Sequence, residues 1–244
     1  MNPVAFKLFG LSIRWYGILI SIGIILGTLL AIKRAKQRNI SEDRVLDLLL
    51  IAIPAAIIGA RTYYVIFNWE YYAGDIMSMI NIRQGGLAIH GSVIAGATVG
   101  YIYCKYHRIS FWKMADICAP SIILGQAIGR WGNFINQEAY GRPTNLPWGI
   151  MVDGVKVHPT FLYESVWNFA VFVFLLWYEK NKKFEGELFL FYAALYSIAR
   201  FFIEGLRIDS LMLGSFRVAQ LVSLASILVA GTIIYKGRNK KKKL

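Results

Sequence analysis

A chain of 244 residues that is 57% hydrophobic and 15% aromatic is too apolar for a soluble domain. Its net charge of +13 would suit a nucleic-acid binder, but 17 of its 27 Lys and Arg residues lie in four clusters beside apolar runs, and no basic helix or aromatic-rich groove accompanies them. Clusters at alternate ends of successive apolar segments follow the positive-inside pattern of a multi-span membrane protein.

The apolar segments are 13–32, 46–67, 86–104, 114–131, 161–178, 186–204 and 214–235. They predict an all-α polytopic membrane protein, one integral domain over 1–244 with seven transmembrane helices. Met1 to Leu11 has no basic start and no cleavage signal, so the first span is expected to be retained, with Phe6, Leu8 and Phe9 in the outer interface. The basic clusters are Lys33 to Arg44, Lys105 to Lys113, Lys180 to Lys183 and Lys236 to Lys243. They put the C-terminus in the cytoplasm and, for seven spans, the N-terminus outside. The outward connections, Asn68 to Gly85 and the larger one after the fourth span, are long and poor in Lys. Residues 133–160 form a small outward-facing cap, in which "WGIMVDGVKV" predicts a β-hairpin turning at Asp153-Gly154. Gly23/Gly27, Gly96/Gly100 and Gly125/Gly129 are spaced for close helix packing. Cys104 and Cys118 have no metal or redox spacing and read as buried free thiols.

With this orientation the ionisable residues of separate spans fall at one depth on the outer side. Arg14 and Tyr16 begin the first span, and Arg61 is in the outer third of the second. His90 is about 6 Å below the outer end of the third, at 1.5 Å per residue. Arg130 ends the fourth span, Glu164 begins the fifth, and Arg200 and Glu204 end the sixth. Charge inside a bilayer is costly, so such groups face partners, water or substrate. Arg130, Asn133 and Gln137 fit one helix face, as do Arg200, Glu204 and Arg207. Arg–Glu–Arg on one face can also be a self-neutralising salt bridge, a single Arg can snorkel to the headgroups, and His90 alone can be a satisfied buried histidine. In "QGGLAIHG", Gly86 and Gly91 are expected to clear space beside His90. Several guanidinium groups at this depth suit a phosphate, and one His can move a proton near neutral pH. The sequence offers no protein nucleophile, no metal-ligand spacing and no nucleotide loop. A transporter of an anionic lipid and a purely structural scaffold remain as alternatives. Polarity gathered at one end, with no inverted repeat, argues against the first; the second leaves the arginines unexplained.

"GRWGNFINQEAYG", Gly129 to Gly141, resembles the signature of the bacterial prolipoprotein diacylglyceryl transferases. "RWYG", "GARTYYV", "GGLAIHG", "HPTFLYE" and "ARFFIEGLR" resemble further motifs of that family, in the family's order and over nearly the whole chain. The resemblance implies transfer of a diacylglyceryl group from phosphatidylglycerol to the lipobox cysteine of a prolipoprotein signal peptide. It implies a multi-pass enzyme acting at the outer face of the bacterial cytoplasmic membrane, with no metal, no cofactor and no nucleic-acid partner. A nucleophile supplied by the substrate accounts for its absence from the chain. On this reading His90, Arg130 and Arg200 are catalytic. Tyr16, Arg61, Asn133, Asn136, Glu138, Gly141, Glu164, Glu204 and Arg207 bind or position substrate, and His158 is a further candidate.

Overall fold

The computed structural model describes residues 2–82 and 85–241, without the side chains of Lys240 and Lys241. Lys242 and Lys243 of the last basic cluster lie outside the described residues. The elements in chain order are β1 (Val4–Leu8), β2 (Leu11–Arg14), α1 (Trp15–Lys36), α2 (Glu42–Phe67), α3 (Trp69–Tyr72), α4 (Ile76–Ile80), α5 (Ile89–Tyr106), α6 (Phe111–Asn136), β3 (Ile150–Val152), β4 (Val155–Val157), α7 (Thr160–Tyr178), α8 (Glu187–Glu204), β5 (Met212–Leu213), β6 (Phe216–Arg217) and α9 (Val218–Lys241). Long helices thus cover each apolar segment of the sequence. Four of them are long and apolar enough to cross a membrane: α1, α2, α7 continued to Asn181, and α9 to Asn239. The other three carry more polar residues. Gln126, Arg130 and Asn133 lie on α6, and Glu187, Arg200 and Glu204 on α8. Helix α5 carries His90 in its first turn and is rich in Gly and Tyr.

The chain divides into two compact units, one of residues 1–31 and 115–244 and the other of 32–114. In the first, Ile123 of α6, Val171 and Leu175 of α7 and Leu188 of α8 are buried together, with Phe172, Phe191 and Leu195 packed around them. This aliphatic and aromatic core fixes α6, α7 and α8 side by side. Ser165 ties it further: its Oγ donates to Ala127 O at 2.8 Å and accepts from Trp131 Nε1 at 3.1 Å. Asp116, fully buried, accepts the backbone N–H groups of Gly186 and Phe189 and the Lys182 ammonium, which pins the start of α8 to α6. Gly23 and Gly27 of α1 lie against α6, where added Cβ atoms would stand 3.3 Å from Gly125 Cα and from Ser121 O. The close approach expected of Gly23/Gly27 is therefore present.

In the second unit Gly96 and Gly100 are not close contacts: a Cβ at either would meet its nearest neighbour only at 4.0 or 3.8 Å. The approach of α2 to α5 is made instead by Gly59 and Gly91, where a Cβ on Gly91 would stand 2.1 Å from Gly59 O. The connection after α2 is built from α3 and α4. Asp75 begins α4 by accepting the Ser78 N–H and hydroxyl, and those hydrogen bonds hold its carboxyl below its ordinary range.

The predicted cap hairpin is β3–β4, with Val152 opposite Val155 and left-handed Asp153 (φ 48°) and Gly154 (φ 80°) at its turn. Two hairpins beyond the one expected are present. β1–β2 turns at left-handed Phe9 and Gly10, leaving Phe9 96% exposed, and β5–β6 leads into α9. Cys104 is buried as expected and Cys118 is half-buried; the two form no disulfide.

Candidate functional site

In the first unit, the C-terminal ends of α6 and α8 and the N-terminal end of α7 lie together and form a charge cluster. Glu164, in the first turns of α7 and only 3% exposed, is its centre. Arg130 Nη2 lies 2.6 Å from Glu164 Oε2. This is a charge contact: that buried oxygen has no well-aligned hydrogen bond. Arg200 Nη1 lies 3.3 Å and Arg207 Nη1 3.6 Å from Glu164 Oε1. Arg200 Nη2 also meets Glu204 Oε2 at 2.7 Å, the i, i+4 contact expected on α8. Glu204 is 1% exposed. Each of these two buried side chains thus has a guanidinium within ion-pair distance.

Arg207 departs from the expected helix face. Helix α8 stops at Glu204, and a turn carries Arg207 beyond it. There Arg207 pairs with Asp209 through Nε–Oδ1 at 2.9 Å and Nη2–Oδ2 at 2.6 Å. Burial pushes the Asp209 carboxyl up, but the hydrogen bonds and charge of Arg207 outweigh it and leave the group below its usual range. Arg217 caps the same turn through the carbonyls of Glu204 and Arg207 and the Ser210 hydroxyl. The sequence reading missed Asp209 and Arg217. It also missed Tyr196, whose hydroxyl is 3.5 Å from Arg130 Nη2. The i, i+4 spacing of Tyr196 and Arg200 was the signal available for the tyrosine.

The signature segment explains its own shape. Gln137 is left-handed (φ 53°), its N–H donates to Phe134 O, and the Glu138 N–H donates to Asn133 O at 3.0 Å. This pair of bonds is a Schellman ending of α6. Gln137 is thus past the helix, not on the face of Arg130 and Asn133 as expected. The turn folds Glu138 back, so that Oε1 accepts from Asn133 Nδ2 at 3.0 Å and Asn136 Nδ2 at 3.3 Å. Asn133, Glu138, Phe134, Phe161 and cap residues Ile150 and Val152 line a cavity of about 270 Å³. Gly141 is buried. Its N–H bonds His158 O, and it bridges to Arg207, joining the cap to the turn after α8. His158 contacts the Tyr163 hydroxyl at 3.3 Å. Gly132 makes room for Tyr16: a Cβ there would stand 1.9 Å from Tyr16 Cδ2, so the Tyr16 ring lies directly on α6.

In the second unit Arg61 is 8% exposed, and four hydrogen bonds run to backbone carbonyls. Nε bonds Met79 O, Nη1 bonds Gly85 O and Gly86 O, each at 2.9 Å, and Nη2 bonds Ser78 O at 2.6 Å. Its guanidinium carbon lies 5.0 Å from the centre of the Tyr72 ring. Arg61 therefore holds the segment that enters α5. Gly86 clears space for Arg61 and Tyr64, not for His90, since a Cβ there would fall 2.4 Å from Arg61 Nη1. His90 is exposed in the first turn of α5, with the Tyr63 ring centre 5.9 Å away.

The sequence pattern of the family described as "Prolipoprotein diacylglyceryl transferase" matches residues 3–236. A phosphatidylglycerol–prolipoprotein diacylglyceryl transferase of Clostridioides difficile (strain 630) is 59% identical, covering all of this chain and 98% of that protein. Proteins of the same name are 58% identical in Finegoldia magna, over 96% of this chain and 94% of the relative, and 52% identical in Clostridium botulinum (strain Langeland), over the whole of both. The chain belongs to the prolipoprotein diacylglyceryl transferase family.

Proposed function

We propose that this chain transfers the diacylglyceryl group of phosphatidylglycerol to the cysteine thiol of a prolipoprotein, the first step of lipoprotein maturation. The observation that carries the reading is the convergence of Arg130, Arg200 and Arg207, from two helices and a turn, on Glu164 at one end of the first unit. A family whose relatives are named for an anionic lipid substrate gives that cluster its purpose.

The substrate thiol, with a reference pKa of about 8.5, must ionise to attack. His90 takes its proton. The thiolate attacks the glyceryl carbon bonded to phosphate oxygen; the C–S bond forms as the C–O bond breaks, and glycerol phosphate leaves with the electron pair. Arg130 and Arg200 stabilise the charge that grows on the leaving phosphate. Glu164 and Glu204 set the direction of those guanidinium groups, and Arg207 supports them from the turn. Asn133, Asn136 and Glu138 form one hydrogen-bonded group for the headgroup. Tyr16 donates to a phosphate or ester oxygen. Gly141 fixes the cap against Arg207, and Arg61 positions the entry to α5 and so His90.

The topology of the proposal has seven spans, the N-terminus outside, the C-terminus in the cytoplasm and the site at the outer face of the bacterial cytoplasmic membrane. Basic residues at successive helix ends support it. Lys33, Arg34 and Lys36 end α1, Arg44 is near the start of α2, Lys105 is in the last turn of α5, and Lys113 begins α6.

The test is the purified protein in phosphatidylglycerol micelles with a lipobox peptide. The expected result is a peptide mass gain of one diacylglyceryl group with release of glycerol phosphate. Lipid movement without that product would overturn the reading in favour of a transporter.

A further inference from the structure

The cap hairpin has one bonded edge and one open edge. Strand β4 is flanked by β3 and, on its other side, by residues 142–144. There the Thr144 N–H donates to Lys156 O at 2.9 Å and the His158 N–H to Arg142 O at 3.1 Å. In an antiparallel strand the N–H and C=O of one residue point the same way. Lys156 therefore faces residues 142–144, and Met151, its partner in register, turns both groups away from β4. Neither group has a partner among the described residues, and Met151 is 61% exposed. Ile150 and Val152 share one face of β3 and line the cavity of about 270 Å³, together with Phe134 and Phe161, whose stacked rings have centres 4.6 Å apart. Glu138 and Asn133 line it too. Glu138 Oε1 accepts from Asn133 and Asn136, and Oε2 has no partner among the described residues.

An open strand edge beside an apolar cavity calls for an occupant with a row of alternating donors and acceptors and an apolar side chain. A phospholipid brings no such row, and the Glu138 carboxylate disfavours a phosphate there. The volume is also below the roughly 300–1,000 Å³ of a site for a drug-sized ligand. An extended peptide meets every demand. We propose that β3 is the docking edge for the prolipoprotein substrate, which adds to it as a further strand and seats one aliphatic side chain over Phe134 and Phe161. Asn133 lies one turn beyond Arg130 on α6, about 4.5 Å along the axis. A strand advances about 3.3 Å per residue. A cysteine two or three residues from the seated side chain therefore comes level with the arginine cluster. The proposal rests on the transfer reading above, and adds where the acceptor lies and which of its side chains is selected.

The experiment measures transfer from phosphatidylglycerol to pairs of lipobox peptides that carry leucine or alanine two or three residues from the cysteine. The unaltered protein prefers leucine at one of these positions by about tenfold or more in kcat/KM, the effect of burying the larger side chain. Ile150→Phe fills the cavity and brings that ratio close to one, while KM for phosphatidylglycerol is unchanged. Met151→Pro removes the outward N–H and no bond of the hairpin. Relative to Met151→Ala, which keeps that N–H, it raises the peptide KM about tenfold, the effect of one lost hydrogen bond. Three results overturn the docking edge and leave the transfer reading standing: no leucine preference, a preference untouched by Ile150→Phe, or equal peptide KM in Met151→Pro and Met151→Ala. No transfer by the unaltered protein to any peptide overturns that reading, and the docking edge with it. Should the variants fail to fold, a peptide with a diazirine-bearing leucine analogue at the preferred position decides on the unaltered protein. Crosslinks to Phe134, Phe161 or residues 150–152 support the edge, and crosslinks confined to other residues overturn it.

Discussion

Glu164→Gln is the most informative single change. It preserves shape and removes only the charge on which three guanidinium groups converge, at 2.6, 3.3 and 3.6 Å. Breaking a buried ion pair from one side costs about 3–5 kcal/mol. Here Arg200 keeps Glu204 and Arg207 keeps Asp209 as partners, and Arg130 and Arg200 keep 21% of their side-chain surface exposed. The loss is therefore placed below that range, at about 2–3 kcal/mol. For a chain of this length 1 kcal/mol moves Tm by about 2–4 °C, so the midpoint should fall by roughly 4–12 °C. Transfer should fall at least about 100-fold, since misaimed donors lose the stabilisation they give the leaving phosphate. Binding of phosphatidylglycerol should be unchanged or tighter, because the cluster gains one net positive charge. Thermal unfolding in detergent, peptide-transfer rates and lipid binding by the same protein provide the three readouts. Unchanged Tm and rate, or binding lost in parallel with rate, would refute Glu164 as the group that aims the arginines.

Four further outcomes are expected. His90→Asn abolishes transfer while phosphatidylglycerol still binds; near-normal turnover would remove His90 as the base and leave thiolate formation to the arginine field. Arg130→Lys keeps the charge but loses the planar fork, and kcat falls by about 10²-fold or more; unchanged kinetics would make its contact purely Coulombic. Gly91→Ala puts a methyl group against Gly59 O, backbone that cannot rotate away, and destabilises by about 1–3 kcal/mol or more in a melting experiment; an unchanged midpoint would contradict the close approach of α2 and α5. The Asp209 carboxyl is below its usual range, so its stabilisation is complete above the ordinary carboxylate pKa of about 3.9 and is lost as pH falls through the lower folded value. Asp209→Asn should therefore flatten the stability profile below about pH 4, and an unaltered acid limb would discount the pair with Arg207.

The sequence made legible those features that depend on near neighbours. Asp153-Gly154 between two β-prone runs became the cap hairpin, and Gly23 and Gly27 became an approach to α6. The Arg200–Glu204 contact follows from helical spacing alone. What escaped depends on where helices end and on partners distant in the chain. A left-handed Gln137 ends α6, although a glutamine carries no obvious stop signal, so extrapolating the helix face to it was wrong. Arg207 left its helix for the same kind of reason and found Asp209 and Glu164. Gly96 and Gly100 have the spacing of a packing motif but not the position, because the tight crossing of α2 and α5 falls at Gly59 and Gly91. Arg61 looked like a group for substrate, and its bonds to four carbonyls, two in α4 and two just before α5, are invisible in spacing.

The charge balance of the cluster bears on how the proposed reaction turns over. Arg130, Arg200 and Arg207 face Glu164, Glu204 and Asp209, three positive groups against three negative. Three unopposed arginines would hold the donor phosphodiester tightly and hold the departing glycerol phosphate, which bears more charge, more tightly still. That is uniform binding with slow release, and it does not raise kcat. A cluster already neutralised by buried carboxylates has little attraction for a singly charged diester. Its donors gain most when charge grows beyond what the diester carries, as it does while the C–O bond breaks. Once the product moves off, Glu164 and Glu204 recover their partners and offset the lost contacts. Removing Glu164 should therefore show as accumulated bound product as well as a lower rate, and a single-turnover experiment with labelled headgroup separates the two. Fast chemistry followed by slow release would assign the carboxylates to turnover, whereas a slowed chemical step alone would assign them to aiming the guanidinium groups.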